Sequence, residues 1–331
     1  MKKNIYLLLV SLLMLNTAIG FSQKNIILDT DFGGDADDLG ALVMLNHFID
    51  KGECNLLAVV SWSTEQYVIP AIDAVNRYYG HPDIPLGIRQ ADNYYESWNY
   101  NKVIADGFAH TMTNKDAEDA TVLYRRILAR SKDNSIVIVT IGPLYNIQAL
   151  LQSGADSLSP LTGKELVSKK VKEFVIMGGQ FPEGKDEWNF NGNMPEVTQF
   201  VLANIPVPVT YSGFEIGNAI KTGEVFNNID PNQPLYVGFK HFSANAPWIK
   251  ANYKGKILNN STFDQTAVLY AIRNGVGKYW EKIDQGYCKP DENGGNVWIH
   301  TENPTQQGYL KLTAPPEKMA TLIEKLMLGK L

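Results

Sequence analysis

Five aspartates fall within ten residues of the stretch NIILDTDFGGDADDLGALVML: Asp29, Asp31, Asp35, Asp37 and Asp38. They follow an apolar run, and an apolar-periodic segment resumes at Leu39, with Gly33 and Gly34 permitting a sharp loop between the two. Carboxylates this close repel one another. A helix N-terminus offsets that repulsion by fractions of a kcal/mol to about 2 kcal/mol, too little for several clustered charges. A hard divalent cation held by oxygen ligands is the chemistry that fits, which points to Ca²⁺ or Mg²⁺. The plainer reading is a capping loop with spare surface aspartates. Counted from Asp29 as an EF-hand loop, Gly34 suits the sixth position, but Gly40 stands where the twelfth needs a bidentate glutamate, so that motif fails. An Asp-x-Asp loop after a first strand also suits a phosphatase, with Asp29 as nucleophile and Asp31 as acid/base.

Three further segments carry chemistry. In VTIGPLYNIQALL, Gly142-Pro143 follows an apolar run, a turn at which the backbone carbonyl of Ile141 is free to face a site. In VIMGGQFPEGKDEWNFNGN, the polar Glu187, Asn189 and Asn191 interleave with the rings of Trp188 and Phe190. Such a mixture suits a sugar, whose hydroxyls take bidentate partners and whose ring takes an apolar face; the alternative is a surface turn with buried aromatics. In STFDQTAVLYAIR, Asp264 opens an apolar helical pattern and, taken alone, is a helix N-terminal residue.

The elements that must position these groups alternate along the chain. Strands are expected at Asn25–Leu28, Leu56–Val60, Ile84–Gly87, Ile136–Thr140, Val171–Met177 and Val207–Tyr211. Helices are expected at Asp37–Phe48, Pro70–Tyr79, Ala117–Ala129, Leu144–Gln152 and Pro195–Leu202. This alternation predicts an α/β fold, a mostly parallel open sheet with helices on both faces, whose ligands gather at the carboxyl ends of the strands. After Tyr211 the alternation weakens. NNIDPNQPLY is turn-rich, and Trp248–Tyr253 and Thr262–Asn274 read as helices, giving a partly helical C-terminal portion.

Lys2 and Lys3 precede an apolar run from Ile5 to Leu15, with small residues at Ala18, Gly20 and Ser22. Residues 1–22 therefore read as a signal peptide, too short in its apolar run for a stable membrane anchor, and export predicts a periplasmic or secreted protein. Residues 23–331 form one catalytic domain, without low-complexity linker or internal repeat. The 331-residue chain is 44% hydrophobic, enough for a large core, and carries a formal charge of −5 with no basic cluster, which argues against a nucleic acid polymer as partner. Export would permit a disulfide between Cys54 and Cys288, but two cysteines without zinc spacing read as structural. Homo-oligomerisation is left open.

In DTDFGGDADD, GPLYN, MGG, EWNF and FDQTAVLYA, in that order, the sequence resembles the inosine/uridine-preferring nucleoside hydrolase family over essentially all of residues 23–331. It resembles a divergent member, with Phe32 in place of the usual proline and an opening loop two residues longer. The resemblance implies a nucleoside hydrolase-like fold and a calcium-dependent glycosidase that splits the N-glycosidic bond of a ribonucleoside or related ribosyl compound. Free base and ribose would be released through a metal-bound water and an aspartate general base. It implies that Asp31 binds Ca²⁺ and serves as that base, and that Asp38, the backbone carbonyl of Ile141 and Asp264 complete the metal set. Asp37, Glu187 and Asn189 would hold the sugar. Asp29 would support the site from behind, while Asp35 is an additional carboxylate. Phe263 stands where many members carry a histidine thought to protonate the leaving base. An aromatic there could stack on the base, alongside Trp98 or Trp280, and His241 in GFKHFSANAPW, a segment that could form a lid, is the candidate for the missing acid. The altered loop and Phe263 also fit a non-catalytic, calcium-dependent sugar-binding module on the same fold.

Overall fold

In the computed structural model, which describes residues 23–90 and 97–331, the run before the aspartates is an interior strand of a nine-stranded sheet. The signal peptide expected at residues 1–22 lies outside the described residues. In chain order the strands are β1 (Lys24–Thr30), β2 (Cys54–Ser61), β3 (Leu86–Ile88), β4 (Glu118–Asp119), β5 (Ile136–Thr140), β6 (Val171–Met177) and β7 (Glu183–Gly184). They continue as β8 (Val209–Ser212), β9 (Lys221–Thr222), β10 (Asn260–Ser261), β11 (Trp280–Ile283), β12 (Gly286–Pro290), β13 (Asn296–His300) and β14 (Gln307–Leu312). The large sheet runs β11-β14-β8-β6-β5-β1-β2-β3-β4, parallel throughout except for β11, which pairs antiparallel with β14 at the edge. Strands β7, β12 and β13 form a small antiparallel sheet, and β9 pairs with β10.

Helices fill both faces. They are α1 (Ala36–Asp50), α2 (Val68–Tyr78), α3 (Asn101–Gly107), α4 (Ala120–Arg130), α5 (Tyr145–Gln152) and α6 (Gly163–Lys170). The remainder are α7 (Trp188–Asn191), α8 (Pro195–Asn204), α9 (Phe214–Ala219), α10 (Pro234–Asn245), α11 (Asp264–Arg273) and α12 (Pro316–Met327). Alternate strand residues divide between two cores, as the two-residue period of a strand requires. Ile26, Leu28, Val139 and Val175 pack with α1, α10, α11 and α12, whereas Ile27, Ile138 and Phe174 pack with α4, α5, α6 and α8. The expected α/β architecture, buried on both faces, is the one found. Among the described residues no helix is long and apolar enough to cross a membrane.

Strands Ile136–Thr140 and Val171–Met177 lie where the sequence places them. Two others shift toward their carboxyl ends behind prolines. The strand expected at Ile84–Gly87 is Leu86–Ile88 and that at Val207–Tyr211 is Val209–Ser212, because Pro85 and Pro208 have no N–H to give a ladder. Helix α4 begins at Ala120 rather than Ala117, where the Asp119 side chain accepts from the Val122 N–H. The helix expected at Trp248–Tyr253 is only a 3₁₀ turn, Lys250–Asn252, too short a segment to propagate. Cys54 and Cys288 are both free and buried; they belong to cores on opposite faces of the sheet, so no disulfide joins them.

Candidate active site

From β1 the chain steps outward to β2, β3 and β4, then returns to lay β5 on the other side of β1. The crevice beyond the carboxyl ends of β1 and β5 is therefore the point where strand order reverses, the place where an open α/β sheet leaves room for a ligand. The aspartate loop leaves β1 there, and Ile141 and Gly142 leave β5 beside it. A β-carbon on Gly142 would lie 2.8 Å from the Asp31 backbone nitrogen and 3.0 Å from its Oδ1, so the two loops touch only because that residue is glycine.

Helix α1 starts at Ala36 with Asp37 and Asp38 in its first turn, and packs along α11, whose first residue is Asp264. Asp37 fastens the two helix starts. Its Oδ2 accepts the N–H groups of Phe263 and Asp264, each at 3.3 Å, and its Oδ1 accepts that of Asp38 at 3.1 Å. Asp38 accepts a hydrogen bond from the Thr30 hydroxyl, and Asp35 accepts one of 2.6 Å from the Asn260 amide. Asp37, Asp38 and Asp264 are buried, and each offers an oxygen within 4.8 Å of the others.

Such a cluster does not hold three full negative charges unaided. Burial pushes Asp37 up to about 6. Burial first, and then the neighbouring carboxylates, push Asp38 and Asp264 well above the usual carboxylate range, with Asp31 adding to the repulsion on both. Hydrogen-bond donors draw Asp37 and Asp38 back down: the N–H groups of Asp264, Phe263 and Asp38 for Asp37, and the Thr30 hydroxyl for Asp38. Buried, oxygen-only and crowded with like charge, the residues fit a hard divalent cation by the chemistry of their donors.

The cluster forms the floor of a cavity of about 510 Å³. Asp31, Asp35, Asp37, Asp38, Ile141, Glu187, Trp188, Asn189, Phe263 and Asp264 all line it, so residues far apart in the chain meet there. Asp31 Oδ2 accepts the Trp188 indole N–H at 2.8 Å. Glu187 caps α7, accepting the N–H groups of Gly179, Asn189 and Phe190 at 2.8, 3.1 and 3.1 Å; burial nevertheless pushes it up to about 7. The Asn189 amide donates to the Met177 carbonyl at 3.2 Å. Phe214 stacks on Phe263 with centroids 5.1 Å apart, and Trp98 meets Trp248 edge to face at 5.7 Å, giving the cavity two aromatic walls.

Asp29, His241, Trp280 and Asn191, all candidates from the sequence, stand outside the lining. Asp29 is wholly buried behind the loop, held by the Tyr124 hydroxyl at 2.7 Å and the Asn146 amide at 3.2 Å, and burial pushes it up to about 7. His241 is half-buried in α10 and faces the backbone of Trp98 and Asn99. Trp280, a candidate stacking ring, is fully buried and donates to the Asn274 carbonyl at 2.7 Å; it is core. Sequence reading missed Thr30, Trp248 and Phe214. Asn146 had a signal, being the asparagine of GPLYN, whereas Trp248 comes from a segment read as helical with no pattern marking its ring.

The sequence model of the family described as inosine-uridine preferring nucleoside hydrolase matches residues 26–322. No curated protein sequence matches the chain. Among solved structures, a plant nucleoside hydrolase is similar at a TM-score of 0.66 and 16% identity, covering 92% of this chain and 98% of that one. The inosine-uridine preferring nucleoside hydrolase of Bacillus anthracis is similar at 0.66 and 15%, covering 93% and 99%. A type III effector protein, solved in complex with adenosine diphosphate ribose, is similar at 0.64 and 15%, covering 93% and 94%. At these identities the likeness is one of fold.

Proposed function

From a chain that belongs to the inosine-uridine preferring nucleoside hydrolase family, we propose a Ca²⁺-dependent hydrolase that splits the N-glycosidic bond of a nucleoside or related ribosyl compound. We further propose that residues 1–22 direct its export. The observation that carries the reading is the buried meeting of Asp37, Asp38 and Asp264 on the cavity floor. Asp31, Asp38, Asp264 and the Ile141 carbonyl would hold the cation, which when bound supplies a fixed positive charge that orients a water and eases its deprotonation. Asp37 lies in the same cluster and is available to the cation as well as to a sugar hydroxyl.

Asp31 takes the proton from the attacking water, its carboxylate turned by the Trp188 N–H. Asp37, Glu187 and Asn189 hold the sugar hydroxyls. As the bond to the base lengthens, positive charge grows on the sugar, and the surrounding carboxylates stabilise it. Phe214, Phe263, Trp98 and Trp248 offer the departing base apolar faces and shield it from water. A phosphatase would need Asp29 as an exposed nucleophile, and Asp29 is buried with both oxygens bonded.

The test is a panel of purine and pyrimidine nucleosides scored for free ribose, with and without chelator, on the natural protein and on Asp31→Asn. Release that needs Ca²⁺ and is lost in Asp31→Asn, with the fold intact, is the expected result. Normal turnover by Asp31→Asn would refute Asp31 as the base. Stabilisation by ribose and Ca²⁺ with no release of base would assign the sugar-binding module instead.

A further inference from the structure

Trp188 is exposed at the cavity wall, and its indole N–H donates to Asp31 Oδ2 at 2.8 Å. An indole ring is held in one orientation only if something fixes its plane. Here the buried Trp62, which follows β2, meets it edge to face with centroids 6.1 Å apart and planes at 86°. Behind Trp62 lies Arg89, which follows β3. Its guanidinium carbon sits 4.2 Å from the centre of the Trp62 ring and 5.1 Å from that of Tyr145.

Arg89 is an unusual residue in this position. It is 6% exposed, and its Nε makes no hydrogen bond among the described residues. Its guanidinium lies over two aromatic faces, with the charge of Asp29 acting on it through space. Burying a guanidinium is costly unless its surroundings compensate it, and two π faces together with the charge of Asp29 do so. The cation thereby clamps the Trp62 plane, and Trp62 in turn sets the angle of Trp188.

On the opposite side Gly142 leaves space for Asp31, since a β-carbon there would come within 2.8 Å of its nitrogen and 3.0 Å of its Oδ1. Its carboxylate thus stands beside a strand-end loop and accepts the indole N–H of Trp188.

We propose that Trp188 is the positioning residue for the general base, and that Trp62 and Arg89 hold Trp188 in register. The inference rests on Asp31 being that base, and it adds how a side chain at the mouth of a crowded acid loop is kept in one orientation. A misplacement on the order of 1 Å at a reacting group costs roughly a hundredfold in rate, so such a device bears on kcat rather than on sugar binding.

Two measurements test it. In steady-state kinetics, Trp188→Phe keeps a ring but lacks the N–H; it is expected to lower kcat by roughly ten- to a hundredfold, with KM and the Ca²⁺-induced thermal shift within about threefold and a degree or two of the natural protein. Arg89→Met is expected to act in the same direction and Arg89→Lys to recover part of the loss. Wild-type kcat in Trp188→Phe overturns the proposal. The second readout needs no turnover. The chain has six tryptophans, so the indole N–H of Trp188 is assigned in a ¹⁵N spectrum as the signal missing from Trp188→Phe. It is expected to exchange with solvent far more slowly than the exposed Trp248 and to move on Asp31→Asn. Exchange as fast as that of Trp248 would sink the proposal. If the natural protein releases no ribose from any nucleoside, the functional reading fails alone, and the spectrum still decides whether Trp188 holds Asp31.

Discussion

Asp37 and Asp264 lie 227 residues apart in the chain, and a hydrogen bond joins them inside a cluster that is electrostatically unfavourable without a counterion. Burial and mutual repulsion raise these carboxyls, so the folded, metal-free chain keeps protons that the unfolded chain has released. Stability from that source is full below the ordinary carboxylate range and is lost as pH rises through the raised values, about 6 for Asp37. With chelator present, the melting temperature is therefore expected to fall between pH 4 and 7, and saturating Ca²⁺ should remove most of that fall. Asp264→Asn takes one charge out of the crowd. Chelated at pH 8, that variant should melt above the natural protein while losing most of the gain from Ca²⁺; a variant that melts lower and keeps the gain would contradict the cluster's role. Glu215 serves as an internal control. It lies outside the acid cluster, burial pushes it up to about 7, and the Phe181 N–H donates to it at 3.0 Å. Its share of the pH-dependent loss should persist in Ca²⁺ and disappear in Glu215→Gln. The acids were legible in the sequence because five in ten residues is an unusual density. Trp62 and Arg89 were not, since one tryptophan after one strand and one arginine after another carry no spacing that relates them; only the parallel sheet makes them neighbours.

At the scale of elements, the site depends on two close backbone approaches. Gly142 lets the β5 loop lie against Asp31. Gly217 in α9 lets the start of α11 lie against it, because a β-carbon there would come within 2.4 Å of the Phe263 Cα and 2.3 Å of its ring. Gly217→Ala must therefore push Phe263, and with it Asp264, away from Asp37. We expect a loss of roughly 1–3 kcal/mol in stability, typical of overpacking, and a weaker thermal response to Ca²⁺. Gly142→Ala should cost a similar amount in stability but act on kcat, because it presses on Asp31 rather than on α11. The two signatures are distinguishable by urea melts alongside kinetics. If both variants lost only stability, the loops would be scaffold and not part of the site. The strands that carry these loops were readable where apolar β-branched runs are unbroken, as in Ile136–Thr140. Proline trimmed two others by removing a ladder donor. Strands β11 to β14 were not anticipated, because segments such as NVWIH and QGYLKL are short, half-exposed and mixed with polar residues, and their pairing is set by neighbouring strands rather than by a local pattern.

For the molecule as a whole, a cation at this point would join the loop after the first strand to a helix that begins after residue 263, closing one face of the sheet from both ends of the chain. Ligand linkage gives the size of the effect: at about a hundredfold excess over its dissociation constant, a cation that binds only the folded state adds about 2.7 kcal/mol. For a chain of this size that corresponds to roughly 4 °C in melting temperature. Removal of Ca²⁺ by chelator should therefore lower the melting temperature by that amount. The change should also be local in hydrogen exchange. The first turns of α1 and α11 and the loop from Asp31 to Asp35 should lose protection, because their carboxylates then repel without a counterion. Strands β5 and β6, buried in the sheet and remote in sequence from those acids, should keep theirs. Loss of protection spread evenly over the sheet, or none at the two helix starts, would mean that the acids at the two ends of the chain are not bridged by a bound ion.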